Sequence, residues 1–292
     1  MAAFHEAVAL PDLAPEPPVR SAASKFVRRH PLIVIGGSIL SIFVLAAIFA
    51  PYAFTVDPNT ISPANRLAAP SAGHWLGTDM LGRDLYSRII YGSRVSLIVG
   101  LSVAFLSAIV GMLVGTISGF ISWLDPIIMR IMDGMMAIPQ LLLAIAMMAL
   151  TGPSVQNVII AITLPEVPRV ARLSRSVVLS LRRQTYVEAA MAAGSRLPKI
   201  LFRHILPNAL PPMLVQLSYI CASAMIVEAI LSFIGAGAPP TIPSWGNIMA
   251  EGKQLWQVKP YLVLFPAMFL SVVILAVNLL GDGLRDALDS RS

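Results

Sequence analysis

Residues 185–208 read TYVEAAMAAGSRLPKILFRHILPN, the longest charged, helix-forming interval in an otherwise apolar chain, with hydrophobic segments on both sides. Thr185 and Glu188 have the spacing of a capping box, in which the hydroxyl accepts one free N–H and the carboxylate reaches back for another. Ala189, Ala190, Ala192 and Ala193 extend a short helix whose small side chains let another surface come close. Gly194 suits the left-handed residue that ends such a helix. Ser195 is placed to cap a second helix, with Pro198 tolerated in its first turn. Leu197, Ile200, Leu201 and His204 then share one helical face, and Pro207 closes the unit. The expectation is a rigid knob of two short helices joined at a glycine elbow. The competing reading is a plain membrane-surface helix between two spans.

The surroundings of the knob are greasy. The chain has 292 residues, 57% hydrophobic and 12% charged, with a mean hydropathy of +0.77. A soluble domain carries about 25% charge, so most of this chain is expected in lipid. Its net charge of +6 raises nucleic acid as a partner. The basic residues are scattered between apolar runs, without an aromatic-interleaved patch, and that partner is rejected. Cys221 is the single cysteine, so no intrachain disulfide is possible. His5, His30, His74 and His204 are far apart in sequence, and no metal site is expected.

In chain order, residues 1–24 are rich in Ala, Pro and Glu without a hydrophobic period, the composition of a disordered tail. Residues 25–53 form the first expected transmembrane helix. Lys25, Arg28 and Arg29 precede an apolar run over 32–53, close to the roughly 20 residues a bilayer requires. A signal peptide is disfavoured because the apolar core is too long and no small-residue cleavage site precedes Pro51. Residues 54–93 read as an outer-face loop, with a short amphipathic helix over 84–91 lying at the membrane surface. Asp79, Arg83, Asp84 and Arg88 alternate in sign and form a mutually neutralising set. A catalytic pair, Asp79 with Asp84, is set aside for want of a buried polar context.

Residues 94–292 are expected to hold a five-helix core that contains the 185–208 knob. Its apolar runs cover 95–120, 127–150, 155–173, 210–234 and 261–281, which with the first makes six spans of an all-α integral membrane protein. Gly111, Gly115 and Gly119 give two overlapping GxxxG spacings for close packing. Pro139, Pro165, Pro168 and Pro266 lie inside runs, where neighbouring helices must satisfy the freed carbonyls, so a packed bundle is implied. Residues 235–259 are too polar to span and read as an outer loop with a partial helix near 245–254.

Orientation follows from the basic residues. Of 21 lysines and arginines, only Arg66, Arg83, Arg88, Arg94, Lys253 and Lys259 fall on the outer faces when the N-terminus is inside. Both termini and the knob are therefore expected in the cytoplasm. Charges within spans are expensive and frequently functional. Asp133 and Arg130, one turn apart, read as a local ion pair. Glu228 is the candidate for a solute pathway or a contact with a partner subunit, against a packing carboxylate held by Ser/Thr or backbone donors. Asn278 has the same candidate role, against that of inter-helix glue. The six methionines between Met129 and Met148 read as packing or flexible lining rather than a soft-metal path. Lys25, Lys199, Lys253 and Lys259 all lack the context of a phosphate-binding loop. No Ser/His/Asp or Cys/His arrangement stands in a credible setting, so no catalytic residue and no bound cofactor are expected.

The order Glu188-Ala189-Ala190, Gly194 six residues after the glutamate, then Leu206-Pro207 resembles the EAA loop of ABC importer permeases. Further marks follow in order: Gly77-Thr78-Asp79, Gly82-Arg83-Asp84, Arg130 with Asp133, Ala171-Arg172, Leu231-Ser232-Phe233 and residues 278–289. Together they make residues 25–292 resemble the second permease subunit of the dipeptide/oligopeptide/nickel class. Ile234 departs from that pattern, as does Pro165-Glu166, which leaves the pathway lining of the fourth span open.

The resemblance implies the type I importer transmembrane fold, in a bacterial plasma (inner) membrane. It assigns ATPase coupling to Glu188, Ala189, Ala190, Gly194, Leu197, Leu201 and Pro207. The implied partners are a homologous second permease, ABC ATPase subunits that carry the ATP and Mg, and an extracytoplasmic solute-binding protein. The solute would be a peptide or a nickel or peptide-like compound. The alternative is an ion-coupled secondary transporter, which needs coupled intramembrane carboxylates and usually shows an internal repeat. No repeat is found, and Glu228 alone is well placed.

Overall fold

Helix signals dominate the chain, and the computed structural model, which describes residues 27–52 and 55–289, contains no strand among them. The tail expected over 1–24 lies outside the described residues. Helix α1 (Pro31–Ile48) begins with proline in its first turn, where the missing N–H costs nothing. Helix α2 (Leu85–Phe120) runs for 36 residues from Asp84, whose carboxylate accepts from the Ser87 N–H at 2.8 Å. The surface helix expected over 84–91 is thus not a separate element. It is the first part of α2, because nothing in the sequence breaks the helix there and Ser87 and Arg88 are buried.

The third expected span is broken. Helices α3 (Asp125–Met136) and α4 (Gln140–Thr151) meet at 83° across Pro139, whose ψ of 128° is extended. Proline removes a helix donor and holds the residue before it out of the helical region, so the chain turns at that point. Helix α5 (Val155–Arg182) has 28 residues, with Pro165 and Pro168 inside it. Then come α6 (Thr185–Ala192), α7 (Leu197–Ile200), a π-helical turn (Leu201–Ile205) and α8 (Leu206–Phe233). The chain ends its described part with α9 (Trp245–Gly252) and α10 (Tyr261–Asp289), so the partial helix expected near 245–254 is present.

Among the described residues, four helices are long and apolar enough to cross a membrane, at Pro31–Ile48, Leu85–Phe120, Leu197–Phe233 and Tyr261–Leu288, or five if the bent α3–α4 pair is one span. Helix α5, the remaining member of the expected six, is long enough but not apolar enough. Glu166, Arg169 and Arg172 interrupt its hydrophobic run.

The glycine spacing of α2 is used as expected. A Cβ at Gly111 would lie 2.5 Å from Val170 Cβ, and one at Gly115 only 2.3 Å from the Ala171 carbonyl oxygen. Backbone therefore meets backbone along α2 and α5, which brings dispersion contacts that larger residues would forbid. Helix α1 leans on α10 in the same way at Gly36, where a Cβ would sit 2.6 Å from the Ala276 oxygen. Arg94 of α2 donates to the Ala47 and Ile48 carbonyls, satisfying the C-terminal end of α1. Helix α9 plugs one end of the bundle. Its Trp245 is fully buried, donates from Nε1 to the Ile89 oxygen at 3.1 Å and meets Phe43 edge-on at 6.3 Å.

Candidate functional site

The elbow between α6 and α7 is built on three apolar anchors. Val187, Ile200 and Ile205 are buried together with Val178 of α5, and Phe120, Leu181, Ala190 and Leu201 pack around them. The knob is thereby fixed to the ends of α2 and α5 rather than hanging from a loop. Gly194 has φ +76°, its N–H bonds to the Met191 oxygen at 3.0 Å and the Ser195 N–H to the Ala190 oxygen at 3.0 Å. This pair of bonds is a Schellman ending, with the left-handed position that glycine fills without strain.

Local details differ from the expectation. The cap of α6 is Gln184 with no side-chain bond, so the Thr185–Glu188 capping box does not form and Thr185 is already helical. Arg196, not Ser195, precedes α7, again without a side-chain bond. Pro207 opens the first turn of α8 instead of closing the knob, since that position needs no N–H. The seven residues assigned to coupling divide in two. Ala190 and Leu201 pack inward on the anchors, whereas Glu188, Ala189, Gly194, Leu197 and Pro207 are exposed. Tyr186, Met191 and Phe202 are exposed beside them. An apolar, alanine-rich face is thus presented on a rigid base.

Glu228 sits fully buried on α8. Ser232 donates to it at 2.9 Å and Ser96 at 3.3 Å, and Ser244, which caps α9, also bonds to it. The carboxyl therefore joins α2, α8 and the start of α9, the bonding by Ser donors expected of a packing carboxylate. A Glu228→Gln chain keeps one acceptor oxygen, and a hydroxyl facing its NH2 can turn to accept, so uptake is expected to stay within about fivefold, the scale of about 1 kcal/mol. Glu228→Leu strands the hydroxyls and is expected to lower the melting temperature in detergent, at a cost of about 1–3 kcal/mol. A large uptake loss in the glutamine variant with unchanged melting would restore the pathway role. Asn278 is half-buried on α10. Asp133 pairs with Arg172 of α5 and not with Arg130 on its own helix, because the α3 turn lies against α5.

The alternating charges near α2 are more deeply enclosed than the sequence implied. Gly77 (φ +80°) and Gly82 (φ +75°) fold the loop before α2 tightly, and a Cβ at Gly82 would fall 1.8 Å from the Ser62 oxygen. Asp79 accepts from Arg83 Nε at 2.7 Å and Arg88 Nη1 at 2.6 Å. Glu251 of α9 takes Arg83 Nη2 at 2.5 Å and Arg88 Nη2 at 2.9 Å. Asp84 stands apart, bonded to Ser87 and to His74 Nδ1 at 3.0 Å. The set is neutralised as expected, but in a buried setting and with Glu251 as the member sequence reasoning missed. Glu251 is 168 residues from Arg83, so no local spacing marks it. Glu166 entered the sequence reading only through the Pro165-Glu166 departure, although Arg169 three residues on marks a local pair. Glu166 is buried on α5 and bonded to Gln140 at 2.9 Å and Arg169 at 3.0 Å.

None of these groups forms an acid–base or nucleophilic arrangement. The elbow presents an exposed face at one end of the bundle, and ion pairs join α2 to α9 at the other. Residues 107–292 match the family model described as binding-protein-dependent transport system inner membrane component, and residues 20–70 match that of the N-terminal TM domain of oligopeptide transport permease C. The chain is 52% identical over 268 residues to a probable peptide ABC transporter permease protein, y4tQ, of Sinorhizobium fredii, covering 92% of each chain. It is 44% identical to the dipeptide transport system permease protein DppC of Alkalihalophilus pseudofirmus, covering 92% of this chain and 89% of that one. Among solved structures, an inward-facing MetNI methionine ABC transporter chain has a TM-score of 0.58 at 19% identity, over 69% of this chain and 96% of that one. That likeness bears on the fold alone.

Proposed function

The chain belongs to the family of binding-protein-dependent transport system inner membrane components, and from that premise we propose that it is the permease subunit of an ATP-driven peptide importer. The observation that carries the coupling is the elbow: an exposed alanine-rich face on a base locked to α2 and α5. ATP is bound and hydrolysed by separate ATPase subunits, which seat this face. A homologous permease completes the pathway, and an extracytoplasmic binding protein delivers the peptide. Closure of the ATPase pair displaces the elbow. Because Val187, Ile200 and Ile205 are packed against Val178 and Phe120, the displacement passes to α2 and α5 as a rigid-body motion. The pathway then faces outward, takes the peptide, and returns inward after hydrolysis. Both termini and the elbow lie in the cytoplasm.

The test is a mild-detergent pull-down through a C-terminal tag, followed by reconstitution of the recovered complex with its binding protein in liposomes. Expected are a second permease, ATPase chains and uptake of short peptides that needs ATP inside the compartment holding the ATPases. Uptake that runs without ATP and collapses when ion gradients are dissipated would overturn the reading in favour of an ion-coupled transporter.

A further inference from the structure

The face of α5 that the bundle leaves open changes character midway. Gln156, Ile160 and Leu164 are exposed along its first half, and Arg169, Arg172 and Ser176 are exposed along its second half, on a side turned by about 140° at 3.6 residues per turn. Glu166 lies at the change, about 16 Å from the start of the helix at about 1.5 Å per residue. A carboxylate at that depth is costly unless paired. Here Gln140 Nε2 donates to Oε1 at 2.9 Å, and Arg169 Nη1 donates to Oε2 at 3.0 Å. Gln140 opens α4 directly after the Pro139 break. The cluster therefore ties the bend between α3 and α4 to the middle of α5.

Arg169 is itself 48% exposed, and its contacts to Glu166 use Nη1 alone. The Nε–Nη2 edge is the fork that takes a carboxylate with two parallel bonds. A guanidinium this open fronts water in preference to lipid, since hydrocarbon around it costs several kcal/mol at that depth. The neighbouring charges leave an excess of cation: Arg169 pairs with Glu166 and Arg172 with Asp133, and Arg130 is exposed one turn before Asp133 on α3. We infer that Arg169, held in place by Glu166 and Gln140, is a station in the translocation pathway for the free carboxylate of the transported peptide. This rests on the peptide-permease reading.

The experiment uses the complete reconstituted complex and compares uptake of trialanine with that of its C-terminal amide. Arg169→Gln is expected to lower trialanine uptake about tenfold, the scale of a lost charge-assisted contact. Amide uptake should stay at the wild-type rate. Arg169→Lys keeps the charge and should recover most of the trialanine rate. This second arm decides the matter if the amide is not accepted at all. Equal losses for both solutes, no loss for either, or a lysine variant as poor as the glutamine one would overturn the inference. So would loss of the partner permease from the Arg169→Gln complex, which would make this face a subunit contact. If the wild-type complex takes up no peptide with ATP, the function itself is wrong. A competent wild type with an unaffected Arg169→Gln variant removes only the station.

Discussion

A Gly194→Asp chain is expected to accumulate in the membrane and to keep its partner permease, yet to lose on the order of a hundredfold in ATP-driven uptake, the upper range of coupling between linked sites. The fold should survive because an added Cβ at Gly194 meets nothing within 4 Å. Its φ of +76° is the only obstacle, and that costs about 1–2 kcal/mol for an ordinary residue and less for Asn or Asp. What changes is the contact face. A carboxylate lands on the exposed elbow between Ala189 and Leu197, where a close-fitting partner would have to desolvate it. Gly194→Asn has nearly the same size and the same tolerance of positive φ without the charge, so its loss should be much milder. The measurement is uptake set against ATP hydrolysis in the same vesicles. Full uptake by the aspartate variant would remove the elbow from the coupling path.

What the sequence made legible was the backbone-level design. Gly194 announced the elbow, since few residues other than glycine end a helix with a left-handed turn. Gly111 and Gly115 announced a close helix contact, and Val170 and Ala171 turn out to be what they approach. Pro139 announced only a packed bundle, inside one span over 127–150, and the 83° break it makes was not foreseen. The local polar assignments fared worse. Thr185, Glu188 and Ser195 had the right spacing for caps, yet Gln184 and Arg196 occupy the extended positions that start the helices. A spacing motif competes with neighbouring registers, and tertiary anchors such as Val187 and Ile200 choose among them. Charge partners were the least visible, since Asp133 with Arg172 and Arg83 with Glu251 are chosen by the packing of distant helices.

The distant pairs are also where a single substitution should cost most in stability. Arg88 is 1% exposed and shares two carboxylates, Asp79 and Glu251, with Arg83. Arg88→Met fills similar space but leaves two anions on one cation in a buried place, and removing one partner of such a group costs about 3–5 kcal/mol. The loss should appear as a large drop in melting temperature in detergent and in increased proteolysis of the 55–84 loop. Arg88 Nε is, among the described residues, the one buried side-chain polar atom without a partner, so the arginine already sits at a cost that its three neighbouring carboxylate oxygens offset. Combining Arg88→Met with Glu251→Gln restores one cation to one anion, Arg83 to Asp79, and should recover part of the stability; coupling between touching residues is about 0.5–3 kcal/mol. Arg130→Met, at an exposed position of α3, is the control and should stay within about 0.5 kcal/mol of wild type. If Arg88→Met melts with the control, the ion-pair clamp is not what holds α9 against α2. In that case the fully buried Trp245 and its bond to Ile89 must carry that contact.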